Sequence, residues 1–149
     1  MALVNNKLAS EAISLEVDMS NNGSPNWVKL LCLTEKNWGI DTNNVEIVTD
    51  CNDTFVENLP GKSNFTAGGS GYANLDPTAG EGSTQLLQEL AISKEVRPFR
   101  FISADAGASY FRQADFYVQS ANETSSAGDY LQFDFTLQFV RNPLLAPAT

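Results

Sequence analysis

Tyr130-Leu-Gln-Phe-Asp-Phe-Thr-Leu-Gln-Phe-Val140 is the stretch on which the reading of the fold turns. Leu131, Phe133, Phe135, Leu137 and Phe139 occupy every second position, with Gln132, Asp134, Thr136 and Gln138 between them. A period of two belongs to a strand with one dry face and one wet face, and no helix can sort such a pattern onto one side. Burying each of the five apolar side chains is worth roughly 1.5–3 kcal/mol before chain entropy is subtracted. The strand is therefore able to anchor a sheet. Its wet face carries amides, a hydroxyl and a carboxylate, with no Lys or Arg.

Working outward, Ile13, Leu15 and Val17 alternate with Ser14, Glu16 and Asp18, a second half-wet strand, and Asn21-Asn-Gly-Ser-Pro25 ends it. Trp27–Leu33 is apolar on both parities except at Lys29 and reads as a more buried strand. Asn37–Asn44 reads as a loop and Val45–Thr49 as a short strand. From Asp50 to Ser83 the chain is rich in Gly and Pro, with Phe65, Tyr72 and Leu75 as scattered apolar anchors, and is expected to form short strands in part and a projecting loop in part. Ser83–Ile92 is the one convincing helix: Leu86, Leu87, Leu90 and Ala91 share a face, Ser83 can cap the start, and Pro98 forbids continuation. Phe99–Ile102 and Ala114–Gln119 are further strands, separated by turns at 105–107 and 122–128, and residues 142–149 leave as a proline-limited arm. The expected class is mainly β, a β-sandwich or partly open barrel with one packed helix. A single domain covers 1–149, with an N-terminal arm over about 1–10 and the long loop over about 50–83.

Composition narrows the function. With 42% hydrophobic residues the chain can bury a core, and no apolar run is long enough to span a membrane as a helix. The start Met1-Ala-Leu-Val-Asn-Asn-Lys lacks the basic-then-apolar order of a signal peptide, so folding in the cytoplasm is expected. Cys32 and Cys51 form no CxxC pair and read as free thiols, and the sequons at Asn52, Asn64 and Asn122 have no meaning without export. A net charge of −9 opposes ordinary nucleic-acid binding, which needs clustered cations to displace counterions. The chain contains no His, the commonest general base and metal ligand.

Gly61-Lys62-Ser63 resembles the end of a phosphate-binding loop, but Val56 stands where its first glycine belongs. Gly68-Gly-Ser-Gly71 lacks the helix start that phosphate cradling needs, and Asp50, Asn52 and Asp53 lack the glycine and distal glutamate of a calcium loop. These residues imply no enzyme, no cofactor and no metal. An alternative is a monomeric β-sandwich that binds carbohydrate or a small ligand through Trp27, Trp38 or Tyr72.

Taken together, residues 10 to 141 resemble the bacteriophage tail tube proteins, or major tail proteins, and the related inner tubes of contractile injection systems. The likeness rests on the half-wet strand at Ile13 and on Thr54-Phe-Val-Glu-Asn-Leu-Pro-Gly61 leading into a Ser/Gly-rich segment. It rests also on the helix phrase Gln85-Leu-Leu-Gln-Glu-Leu90 and on the closing pair Ala114–Val118 and Leu131–Leu137. The resemblance implies hexameric rings whose sheets join into one barrel, stacked into a tube through which DNA leaves the head without specific binding. It places Ser14, Glu16, Asp18, Gln132, Asp134, Thr136 and Gln138 on the channel wall. Phe65, Gly68, Gly69, Gly71 and Tyr72 fall in the loop expected to touch the next ring. Implied partners are other copies of the chain, a tape measure, and tail terminator or tip proteins. The implied location is the virion tail, after synthesis in the host cytoplasm.

Overall fold

In the computed structural model the alternating stretch forms the strand at the heart of a sheet. The structure describes residues 3–4, 7–8, 13–20, 24–30, 32–47, 57–73, 81–82, 84–103 and 110–146. In chain order the elements are β1 (Leu3–Val4), β2 (Lys7–Leu8), β3 (Ile13–Asp18), β4 (Trp27–Leu30), β5 (Leu33–Ile47), β6 (Glu57–Tyr72), β7 (Glu81–Gly82), α1 (Thr84–Ser93), β8 (Arg97–Ser103), β9 (Phe111–Thr124) and β10 (Gln132–Leu144). β1 and β2 pair with each other alone, and the remaining strands form one open sheet in the order β5-β6-β10-β9-β8-β3-β4-β7. Every pair in it is antiparallel except β4 with β7, which is parallel.

β10 lies between β6 and β9 and sorts its side chains as its alternation requires: Phe133, Phe135 and Leu137 are buried, and Gln132, Asp134 and Thr136 are exposed. Leu15 and Val17 of β3, Phe99 and Phe101 of β8, and Ala114, Phe116 and Val118 of β9 complete the dry face. The sheet cannot be flat. β5 and β8 are four strands apart in sheet order, which at about 4.8 Å per strand would separate them by roughly 19 Å, yet Trp38 of β5 stacks on Phe101 of β8 with ring centroids 4.2 Å apart. The sheet therefore curls until its dry face meets itself. α1 packs against β9, putting Leu87 and Leu90 into the same core. The result is the mainly-β, one-helix fold expected, a partly open barrel.

Three expectations about elements are corrected. The strand at Trp27 ends at Leu30, and the chain passes Cys32 with φ of 64° before the next strand begins. The left-handed conformation there breaks strand geometry. The loop expected over 37–44 and the short strand after it are one continuous strand, β5, hydrogen-bonded to β6 from Leu33↔Gly71 to Ile47↔Glu57. Much of the loop expected over 50–83 is β6, whose second half, from Thr66 to Tyr72, lies between β5 and β10 inside the sheet while its first half pairs with β5. Its glycines permit this: a Cβ on Gly69 would stand 2.6 Å from the Glu35 carbonyl, one on Gly68 2.8 Å from that of Phe135, and one on Gly71 would collide with that of Cys32. Two backbones close in where side chains are missing.

Elsewhere, β10 runs through Asn142 and Pro143 to Leu144, so the C-terminal arm starts later than expected. Ser83, the expected cap, and the turn at 105–107 lie outside the described residues, as do Asp50, Asn52, Asp53 and Leu75.

Candidate functional site

The polar face of β10 is assembled from its own wet residues and those opposite them. Asp134 lies between Ser70 of β6 and Asn122 of β9, Thr136 between Gly68 and Ser120, and Gln138 between Thr66 and Tyr117. None of these neighbours is cationic. The Asn122 amide donates to Asp134 Oδ1 at 3.2 Å, and the Gln132 amide to Asp129 Oδ2 at 2.6 Å. Both carboxylates are thus oriented by amides, and among the described residues neither has an ion-pair partner.

The β3 positions have a different environment. Ser14 is 8% exposed and points its hydroxyl at the Ile102 carbonyl at 3.4 Å. Glu16 receives the Arg100 guanidinium at 2.6 Å and faces Lys29 on β4, and Arg100 lies 4.0 Å above the Trp27 ring. Asp18 Oδ1 accepts the backbone N–H of Ser20 at 2.9 Å and of Asn26 at 3.0 Å, closing the connection between β3 and β4. Burial would raise its pKa, but the Asn26 and Ser20 hydrogen bonds, with the Arg97 charge behind them, hold it below the ordinary carboxylate value. By strand parity both sets lie on the outer face of one sheet. β9 and β8 stand between them, so the two sets are three strands apart in the sheet order.

Of the five positions assigned to a contact loop, Phe65 is 2% exposed and meets Phe116 edge-on, while Gly68, Gly69 and Gly71 lie within β6. Tyr72 alone offers a side chain to the surface, where it meets Tyr130 edge-on. The tryptophans of the ligand-binding alternative are both engaged: Trp38 donates its Nε1–H to the Tyr110 hydroxyl at 2.6 Å inside the curl, and Trp27 is covered by Arg100. Among the described residues no three His, Cys, Asp or Glu side chains are grouped to hold a metal.

One feature escaped the sequence reading. Past Ile40 and Phe65, β5 and β6 continue as a two-stranded arm whose side chains are largely exposed among the described residues, with Ile40, Val45 and Leu59 about half exposed. Side-chain pairs hold it: Thr42 with Ser63 at 2.8 Å and Asn44 with Asn58 at 2.8 Å. Among the described residues β5 is also the edge strand at one end of the sheet. The Val45-Glu-Ile47 alternation opposite Glu57-Asn-Leu59 was the available signal, masked by Pro60 and Gly61.

No protein-family model matches the sequence, and no curated protein matches it. Solved structures do match. A chain in the tail of an empty GTA particle, computed with helical refinement in C6 symmetry, superposes with a TM-score of 0.73 at 14% identity, covering 93% of this chain and 98% of that one. A chain of the anti-feeding prophage baseplate, six-fold symmetrised, gives 0.64 at 8% identity over 89% and 91%, and the SPP1 tail tube gives 0.63 at 10% over 91% and 76%. At these identities the likeness is one of fold. That fold is the one found in tail tubes and in a baseplate of related architecture.

Proposed function

We propose that this chain is a structural subunit of a tail tube, assembling into six-membered rings that stack around a channel for DNA. The observation that carries the reading is the near-complete mutual coverage with the chain from the GTA tail, 93% and 98%, which supports matching the whole domain to one chain of a six-fold tail. Two features support assembly. Among the described residues β5 is an edge strand of the sheet, and pairing so long an edge with a neighbouring copy removes an aggregation hazard. The arm beyond Ile40 is an isolated hairpin, marginal in water until something covers it.

On this reading the channel wall is the outer face of β10, with Gln132, Asp134, Thr136 and Gln138. A surface of carboxylates and amides repels phosphates, so DNA slides and does not adhere. Ser14, Glu16 and Asp18 serve the subunit itself, through the Arg100 pair and the turn after β3. Contacts between rings fall to the arm and to the end of the sheet at Tyr72. Tape-measure and terminator or tip proteins would complete the tail, and the subunit would be made in the bacterial cytoplasm and carried in the particle.

Negative-stain microscopy of the purified chain tests this. Tubes or stacked rings are expected; a particle that stays monomeric at every concentration overturns it. The likeness to the anti-feeding prophage baseplate favours a second reading, the inner tube of a contractile machine. The same object would then carry another cargo, and a sheath gene beside this one would distinguish the two.

A further inference from the structure

Where β5 starts and β6 stops, a cleft of about 200 Å³ opens between β5, β6, β10 and β9. Its lining holds the hydroxyls of Thr34, Ser70 and Thr124, the Gln132 amide and the Asp134 carboxylate, and no cation. Asn122 donates to Asp134 Oδ1, and no Lys or Arg among the described residues pairs with that carboxylate. The Gln132 Nε2 is bound to Asp129, which leaves the amide oxygen to accept. Tyr72 is a further wall of the cleft, and the Tyr130 ring meets it at 79° with centroids 6.1 Å apart. Two rings set nearly at right angles make an aromatic corner. Tyr72 stands opposite Gln132 in the ladder between β6 and β10, and Asp134 is two positions further along β10, on the same face. The corner and the carboxylate are therefore neighbours.

We propose that this cleft binds a primary organic ammonium ion, such as one end of a short alkyl diamine. The positive charge is met twice, by the Asp134 carboxylate and by the tyrosine faces, whose quadrupole attracts a cation. The ammonium N–H donors find acceptors in the three hydroxyls and the Gln132 oxygen. Other ligand classes fit less well. A phosphate or carboxylate would meet no cation and would be repelled by Asp134. A hard metal ion takes six or more oxygen ligands, several of them carboxylates, and here finds one carboxylate. A neutral sugar would use the hydroxyls but leave the carboxylate charge unanswered. The site does not depend on the tube reading. If the outer face of β10 lines a channel, each copy contributes one such cleft to the wall, within reach of small amines among the counterions condensed on DNA.

Titration calorimetry of the full chain with diaminobutane tests this, and serves dispersed subunits and tubes alike. One ligand per chain is expected. Asp134→Asn should weaken it at least about tenfold, as loss of a charged hydrogen-bond partner does, and Tyr130→Leu about two- to fivefold. Tyr130 is 79% exposed and Asp134 is exposed, so both variants keep the fold, which circular dichroism checks. Asp41→Asn removes an equal charge from the exposed arm and should leave binding as it was. Butanediol, of the same length but uncharged, should not bind, and tetramethylammonium, charged but without an N–H, should bind less tightly. Absence of any binding heat with diaminobutane overturns the proposal. Equal losses in Asp41→Asn and Asp134→Asn overturn it too, since they reduce binding to the general attraction of a chain carrying −9. Tetramethylammonium held as tightly as the diamine does the same, because the acceptors would then play no part. Each of these failures leaves the tube reading standing.

Discussion

Individual residues carry much of this fold through what they omit. A Cβ on Gly71 would collide with the Cys32 carbonyl and stand 2.8 Å from the Leu33 Cα, where only backbone could yield. Gly39, in the same pair of strands, has nothing nearer than the Thr66 hydroxyl at 3.9 Å. Gly71→Ala is therefore expected to lose about 1–3 kcal/mol, the usual cost of overpacking, while Gly39→Ala stays close to neutral; urea midpoints of the two variants check the contrast. Asp18 makes a different kind of contribution. Its folded pKa is lowered, so its share of stability is fully present above the unfolded value near pH 4 and lost as pH falls through the folded pKa. Asp18→Asn should lower the urea midpoint at pH 7, and the gap to the unaltered protein should narrow steadily as the pH is taken down toward 2. A gap independent of pH would assign the loss to geometry and not to charge.

At the level of elements, legibility followed burial. β10, β3, β8 and β9 could be read because each turns one parity toward the core: Phe133, Phe135 and Leu137, or Leu15 and Val17, declare the strand by alternation. α1 could be read for the same reason at helical period, with Leu87 and Leu90 buried and Ile92 81% exposed. β5 and β6 could not, since much of their length has no buried side to impose a pattern. Asn37–Asn44 is a run of turn formers held extended by its ladder to β6, and Gly68–Gly71 serves close backbone approach, which a glycine cluster signals only ambiguously. The β10 wet positions were found from the same alternation. The arm and the cleft were not, because they follow from where two strands end in space. Such an unsupported hairpin should open easily. In hydrogen-exchange measurements on the dispersed subunit, amides of Asp41–Ile47 and Glu57–Asn64 should exchange far faster than those of Phe133–Leu137, and assembly should slow them. Arm amides that remain fast in assembled tubes would show that the arm finds no partner there.

For the whole molecule the decisive property is the sign of the surface turned to the cargo. The chain carries −9, yet its cations are not evenly placed: Arg100 and Lys29 stand by Glu16 on the β3 side of the sheet, whereas none is a cross-strand partner of Asp134, Thr136 or Gln138 on the β10 side. If that second side lines the channel, its effect on DNA is electrostatic and can be reversed without disturbing the fold. Thr136 and Gln138 suit this purpose, since both are polar and their cross-strand partners, Gly68, Ser120, Thr66 and Tyr117, carry no charge. Thr136→Lys with Gln138→Lys adds two cations per copy, repeated around every ring, and each cation that meets a phosphate releases condensed counterions and strengthens binding in low salt. Tubes of the double variant should assemble to normal length but bind DNA, with an affinity that falls steeply as salt rises, and particles built from them should eject their genome slowly or incompletely. The same substitutions to Gln and Asn should leave both assembly and delivery unchanged. Normal delivery through assembled tubes carrying the lysines would remove β10 from the channel wall and place that face toward solvent.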